Sequence, residues 1–249
     1  MKRVLVTVAL MIAASSVCSA QQFTYYFPQV AIGGGWKTTI FISNASAPGT
    51  TASGTITFTK SDGTAFAANW TDSGGNPVGG GGNTIGFQLG SGESRKYTSV
   101  GDIPLTAGYA TVTANASVLG SAMFTQFDGG GRMLAEAGVP MAIPLGKQAV
   151  FVDTTGGFKT GVAIANPNNA ALKINFELMS DTGQMIRSAQ RDLAPNQHVA
   201  FFVHELFPDA PEMVGRLQFY CTNPMASVAL RFDPSFALFT TMPPIAIAN

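Results

Sequence analysis

Gly34-Gly35-Trp36-Lys37-Thr38-Thr39-Ile40-Phe41-Ile42-Ser43-Asn44 returns without a gap as Gly156-Gly157-Phe158-Lys159-Thr160-Gly161-Val162-Ala163-Ile164-Ala165-Asn166. Ile40 and Ile42, like Val162 and Ile164, fall two apart, so each pair shares one face of a half-buried strand. The paired glycines ahead of each strand permit a tight turn with positive φ. Asn44 and Asn166 close the strands, because Asn tolerates left-handed backbone and bonds its own main chain.

Other landmarks keep the same order in both halves. Ser61-Asp62-Gly63 answers to Ser180-Asp181-Thr182-Gly183, and Leu89, Gly92 and Tyr97 answer to Leu193, Asn196 and Phe201. A block from Gly108 to Phe127-Asp128 answers to one from Gly215 to Phe232-Asp233, and each runs on to an apolar-Pro step, Val139-Pro140 and Met242-Pro243. An ordered set of shared landmarks is the mark of a duplicated unit. The Ser-Asp-Gly and Asp-Thr-Gly segments read as hairpin turns, joining Thr55–Lys60 to Thr64–Trp70 and Lys173–Met179 to Gln184–Ala189. Ala110, Val112 and Ala114 point inward with threonines outward, and Ala226, Val228, Leu230 and Phe232 share a face. Helical periodicity is confined to one short turn at Val203–Phe207, before Pro208.

Short strands with turn signals at this density predict an all-β protein: two tandem β-sandwich domains, immunoglobulin-like or related, arising from internal duplication. The predicted divisions are 1–20, a signal peptide; 21–146, the first sandwich; and 147–249, the second. Residues 74–86 hold seven Gly in thirteen positions with no counterpart in the second half, and read as a flexible loop insertion. A membrane β-barrel is the runner-up, disfavoured by the twofold repeat and the lack of a regular series of girdled strands.

The N-terminus sets the compartment. Lys2 and Arg3 precede an apolar run from Val4 to Ala14, too short for a membrane helix, and Cys18 and Ala20 supply the small residues of a cleavage site before Gln21. Cys18 also admits a lipidated-cysteine reading, against which Val17 is bulky for the preceding position. Cleavage takes two basic residues from a chain with 14 basic and 14 acidic, leaving a slightly acidic product with no basic stripe for nucleic acid. Charged residues are 11% of the chain, about half the usual share, a composition common in exported β-proteins. The exported chain keeps one cysteine, Cys221, so no internal disulfide forms; within Leu217–Cys221 it reads as a small apolar strand residue.

Phe27-Pro28 leading to Gly33-Gly34-Gly35-Trp36-Lys37-Thr38, then Glu205-Leu206-Phe207-Pro208, Gly215-Arg216-Leu217-Gln218-Phe219, Pro224 to Arg231, and Thr240-Thr241-Met242-Pro243 resemble signatures of secreted bacterial proteins of unknown function. The resemblance covers essentially the whole exported chain and implies an extracellular or surface-attached β-sandwich module. It carries no catalytic residues.

Motifs for chemistry are incomplete. His204-Glu205-Leu206-Phe207-Pro208 opens like a zinc-protease helix but places Pro208 where the second histidine belongs. In Gly35-Trp36-Lys37-Thr38, Trp36 stands where a phosphate-binding loop needs Gly, and a strand follows where it needs a helix. Gly90-Ser91-Gly92 lacks the flanks of a nucleophile elbow. Asp62, Asp181, Asp128 and Asp233 form no Asp-x-Asp calcium cluster and suit turns. The expectation is therefore no catalytic residues, metal or cofactor, and a structural or adhesive role, secreted or at the cell surface, with periplasm as a further compartment. Partners would be extracellular polysaccharide or a surface or matrix protein. The alternative is carbohydrate binding by aromatics, with Trp70, Tyr25 and Tyr26 as candidates and Trp70 preferred beside the Gly-rich segment; core packing competes for all three. A hydrolase using His198 and His204 ranks last.

Overall fold

The computed structural model describes residues 21–101 and 103–247, so the signal-peptide and Cys18 readings lie outside the described residues. Every sheet is antiparallel and the described chain is nearly all β, as the strand periodicities predict. The first half contributes β1 (Phe23–Ile32), β2 (Trp36–Asn44), β3 (Ala52–Lys60), β4 (Asn69–Thr71), β5 (Pro77–Val78), β6 (Thr84–Leu89), β7 (Ser94–Val100), β8 (Thr106–Ala114), β9 (Val118–Phe127) and β10 (Met133–Pro140). The second contributes β11 (Leu145–Asp153), β12 (Lys159–Ala165), β13 (Leu172–Ser180), β14 (Met185–Leu193), β15 (His198–Phe202), a single helical turn α1 (Val203–Leu206), β16 (Val214–Phe232), β17 (Phe239–Met242) and β18 (Ile245–Ala246). The turn at α1 falls where the short helical period predicts it. β11 starts at Leu145, two residues ahead of the division drawn at 146/147.

In the first half, one sheet runs β1-β8-β3-β6 and the other β10-β9-β2-β7-β4-β5. In the second, one runs β18-β11-β16-β13-β14, while β17, β16, β12 and β15 pair in that order. Taken strand by strand, the shared parts of the two halves have the same order. The single 19-residue β16 does the work of both β8 and β9: Val214–Tyr220 pair with β11 and β13, and Ala226–Phe232 pair with β12 and β17.

Each half packs two sheets face to face. Ile56, Phe58 and Val112 from one sheet meet Ile40, Ile42 and Tyr97 from the other, and Ile174, Phe176 and Leu217 meet Val162, Ile164 and Phe201. Asn44 and Asn166 are both buried, and each side chain ties three neighbouring carbonyls: Thr50, Leu89 and Gly90 at 2.8–3.1 Å for Asn44, and Ala170, Leu193 and Ala194 at 2.9–3.1 Å for Asn166. Neither is left-handed, but each Oδ1 accepts the N–H two residues on, Ser46 at 2.9 Å and Asn168 at 3.0 Å, so each side chain turns the main chain at the strand end as expected and satisfies buried carbonyls as well. Thr38 and Thr160 likewise each bond main-chain N–H and C=O one strand back, at Ala31 and Asp153. The paired glycines have the expected positive φ, 57° and 84° at Gly34 and Gly35 and 60° and 83° at Gly156 and Gly157.

Four expectations are corrected. Lys37 faces Thr125 where Lys159 faces Phe232, so Phe127 is two residues out of register with Phe232; the β9–β10 hairpin is longer. Thr64–Phe66 turns back along β3, Ala65 bridging Thr59, but the return goes no further: β4 crosses to the opposite sheet beside β7, and β3 pairs with β6. Residues 74–86 are not one loop, because Pro77–Val78 pair with β4 and Thr84–Gly86 belong to β6, with a 3-10 turn at Gly79–Gly81 between. Finally, Val228, Leu230 and Phe232 do not face the core of their own half. They face the first half, and Val228 is buried in its core together with Ala163 and Phe239.

Candidate functional site

Trp70 cannot serve as a sugar platform. Its ring is 1% exposed and stacks on Phe58 at 4.5 Å and 19°. The reason is the crossing of β4, which turns the indole into the space between the sheets. Tyr25 and Tyr26 are half-buried neighbours on β1, so they point to opposite faces. The Tyr25 hydroxyl meets Ser117 Oγ at 3.3 Å, whereas burial, with Tyr109 close by, pushes the Tyr26 phenol up. The three candidate aromatics are not brought together.

The histidines separate as well. His198, 4% exposed, has Nδ1 3.0 Å from Ser61 Oγ, and its backbone N–H donates to the Ser61 carbonyl. A Ser–His contact raises the nucleophile reading, but Ser61 Oγ also donates to the Ala107 carbonyl. Burial lowers the imidazole pKa to about 4, the Pro28 carbonyl pulling weakly the other way, and Nε2 has no hydrogen-bond partner. So shifted, the ring is a poor base at neutral pH and acts as a polar pin between the halves. His204 is exposed and stacks on Phe202 at 5.5 Å. It lines a small recess of about 180 Å³ with Lys159 and Glu212, whose carboxylate accepts from the Gly156 N–H. Cys221 is half-buried against the second core, and burial raises its thiol pKa. Asp62, Asp128 and Asp233 accept hydrogen bonds within their own turns, which hold their carboxyls below the usual range. No group of three His, Cys, Asp or Glu side chains suited to a metal occurs among the described residues.

The structure assembles a site at the junction. Along β12, Val162 and Ile164 fill the second core, while Ala163 on the other face is buried against the first half. Phe239 of β17 reaches into the open end of the first sandwich, 5.6 Å from both Trp36 and Phe124 and stacked on the latter. Phe232 lies 5.4 Å from Phe239, Phe202 lies 5.2 Å from Phe232, and Phe236 lies 5.6 Å from Phe202. These rings form a continuous aromatic row from one half to the other. Offset and tilted pairs of this kind add to the burial of apolar area.

Beside this row lies a cavity of about 430 Å³, walled by Trp36, Phe124, Phe202, Val228, Leu230 and Phe232. Two lining side chains are strongly polar, Gln29 from β1 and Glu205 from α1. Glu205 accepts the Phe202 N–H at 2.7 Å, which fixes its carboxylate at the start of the helical turn. Gln29 Oε1 is buried and has no hydrogen-bond partner. An apolar cavity with a few placed polar groups is the usual form of a small-molecule site.

The periodicities of single strands do not reveal this site, yet a signal was present. Thr39, Phe41 and Ser43 give β2 a mixed outer face, whereas the matching positions of β12 are Gly161, Ala163 and Ala165. A strand apolar on both faces is covered on both sides. No family model matches the chain, and no curated protein or solved structure matches it.

Proposed function

We propose that the chain is an exported, non-catalytic binding protein in which one immunoglobulin-like β-sandwich design occurs twice and the junction between the copies takes an apolar ligand. The observation that carries this reading is the 430 Å³ aromatic-walled cavity at the junction. Its volume falls in the ordinary range for ligand pockets, about 300–1,000 Å³. The duplication is supported by the common strand order and by the doubled Asn44/Asn166 and Thr38/Thr160 hydrogen bonding. The non-catalytic part rests on the histidines, one pinned in the interior and one exposed outside this cavity. Export rests on the N-terminal pattern, and mass spectrometry of secreted protein is expected to find Gln21 first; a lipid on Cys18 would replace that reading.

The test is titration with a neutral naphthalene fluorophore. Saturable binding of one molecule per chain is expected. Ala200→Phe, which places a ring at an exposed position on the cavity rim, is expected to abolish binding without lowering stability. Failure of the wild-type protein to bind would remove the ligand-binding reading. A structural or adhesive role toward polysaccharide or matrix is the second reading, favoured by the shared apolar junction, which makes the two halves one stiff unit.

A further inference from the structure

We infer that copies of this chain join head to tail, by repeating between molecules the contact that joins the two halves within one. At the junction, β12 and the C-terminal part of β16 lie against β1, and Ala163 and Val228 reach from their outer face into the first half. Strand register matches that face to the outer face of β2 and β9 in the first half: Ala163 corresponds to Phe41, Ala226 to Leu119 and Leu230 to Met123. In the first half this face is open, with Leu119 63% exposed and Phe41 40%. The receiving face recurs too. Gln29, Ala31 and Ala107 line the junction. The shared Thr38/Thr160 bonding and the strand register place Phe151, Asp153 and Val214 at the matching positions of the second half. Phe151 is 56% exposed and Val214 54%. Each copy therefore carries one free face of each kind, one on either half.

The two free faces also match in charge. At the junction Phe239 stacks on Phe124 beside Trp36. By register Glu136 holds the place of Phe239, Arg231 that of Phe124, and Phe158 that of Trp36. Contact between copies thus sets Glu136 of one against Arg231 of its neighbour, where the junction sets ring against ring. Glu136 is exposed and has no cation partner among the described residues. Arg231 lies over Phe158 at 3.5 Å and gives Nε and Nη2 to Asp153, which leaves Nη1 for a second carboxylate. Two different faces meet, so the assembly is heterologous and does not close at a dimer. Thr39, Ser43 and Ser121 surround Phe41, and so mixed a face makes a weak, reversible contact.

Sedimentation velocity of the full exported chain tests this at concentrations up to about 1 mM, where even a weak interface is populated. The average mass is expected to climb past that of a dimer as concentration rises. Phe41→Asp and Phe151→Asp each put a charge on one face only, and each variant alone is expected to stay monomeric. Mixed in equal amounts, the two are expected to form pairs and nothing larger, because each keeps the face that the other has lost. Leu119→Asp repeats the test of the first face, and unfolding midpoints verify that all three variants fold. Glu136→Arg is expected to weaken wild-type association about tenfold. A wild-type chain that stays monomeric throughout or stops at dimers would overturn the inference, as would association that survives both Phe41→Asp and Phe151→Asp. A mixture of those two variants that stays monomeric would show that the faces do not meet each other, and overturn it equally. Unchanged association of Glu136→Arg would overturn the pairing with Arg231.

Discussion

At the scale of single residues, the most consequential groups are polar ones held inside. In the unfolded chain His198 takes up a proton near its ordinary pKa of 6.5, and in the fold only near about 4. Between those values the unfolded state binds more protons, so stability rises with pH. His198 therefore contributes fully above pH 6.5, and that contribution is lost as pH falls toward 4, by at most roughly 3 kcal/mol. Urea unfolding across this window is expected to show the slope, and His198→Gln, which keeps a partner for Ser61, is expected to flatten it. Asp62, Asp72, Asp128 and Asp233 act separately: their hydrogen bonds depress them, so their share is lost only as pH falls below the ordinary carboxylate pKa. The two asparagines give a second expectation. Asn44→Ala and Asn166→Ala each strand buried carbonyls, and each is expected to cost about 2–4 kcal/mol in chemical denaturation, with similar values at the two sites.

Elements record how much of this protein a sequence can announce. The paired glycines, Gly92 with Asn196 and the β13–β14 hairpin were legible because each answers a local backbone demand; Gly92 and Asn196 have φ of 74° and 59°. The crossing of β4 was not legible, since nothing within Thr64–Trp70 says which sheet will receive it. Trp70 was misjudged for that reason: the neighbouring glycines point to a surface, but the strand turns its ring inside. Gly108 and Gly215 open β8 and the matching part of β16, and each meets the adjacent strand closely. A Cβ would lie 2.0 Å from the Thr59 carbonyl oxygen in one case and 2.1 Å from that of Met179 in the other. Gly108→Ala and Gly215→Ala are each expected to lower stability by about 2–3 kcal/mol, measured by thermal or urea unfolding. A strand edge that tolerated alanine at either position would show that the neighbouring strand can give way.

Across the whole molecule, the junction decides whether the halves behave as one. The first core is finished by Ala163, Val228 and Phe239 from the second half, so neither half presents its surfaces to water alone. A single cooperative transition is expected for the wild type. Phe239→Ala removes the ring that touches Trp36 and Phe124 and is expected to destabilise by about 3–5 kcal/mol. Both tryptophans, Trp36 and Trp70, lie in the first half, so their fluorescence reports that half, whereas far-ultraviolet circular dichroism reports both. In Phe239→Ala the fluorescence transition is expected to move to lower urea and separate from the dichroism transition. Coincident transitions in the variant would mean that the halves are coupled elsewhere. This coupling is also what periodicity could not supply, because it depends on which of two apolar faces of β12 meets which neighbour.

The ring that closes the first sandwich belongs to residue 239 of a 249-residue chain. Chains are made from the N-terminus, and domains generally fold in that order as they emerge. Here the order is broken. The N-terminal sandwich leaves Trp36 and Phe124 uncovered by Phe239 until β17 has been made, long after the last strand of its own half. The same delay leaves those two rings open to a chaperone throughout synthesis, and closes them to it once β17 is in place.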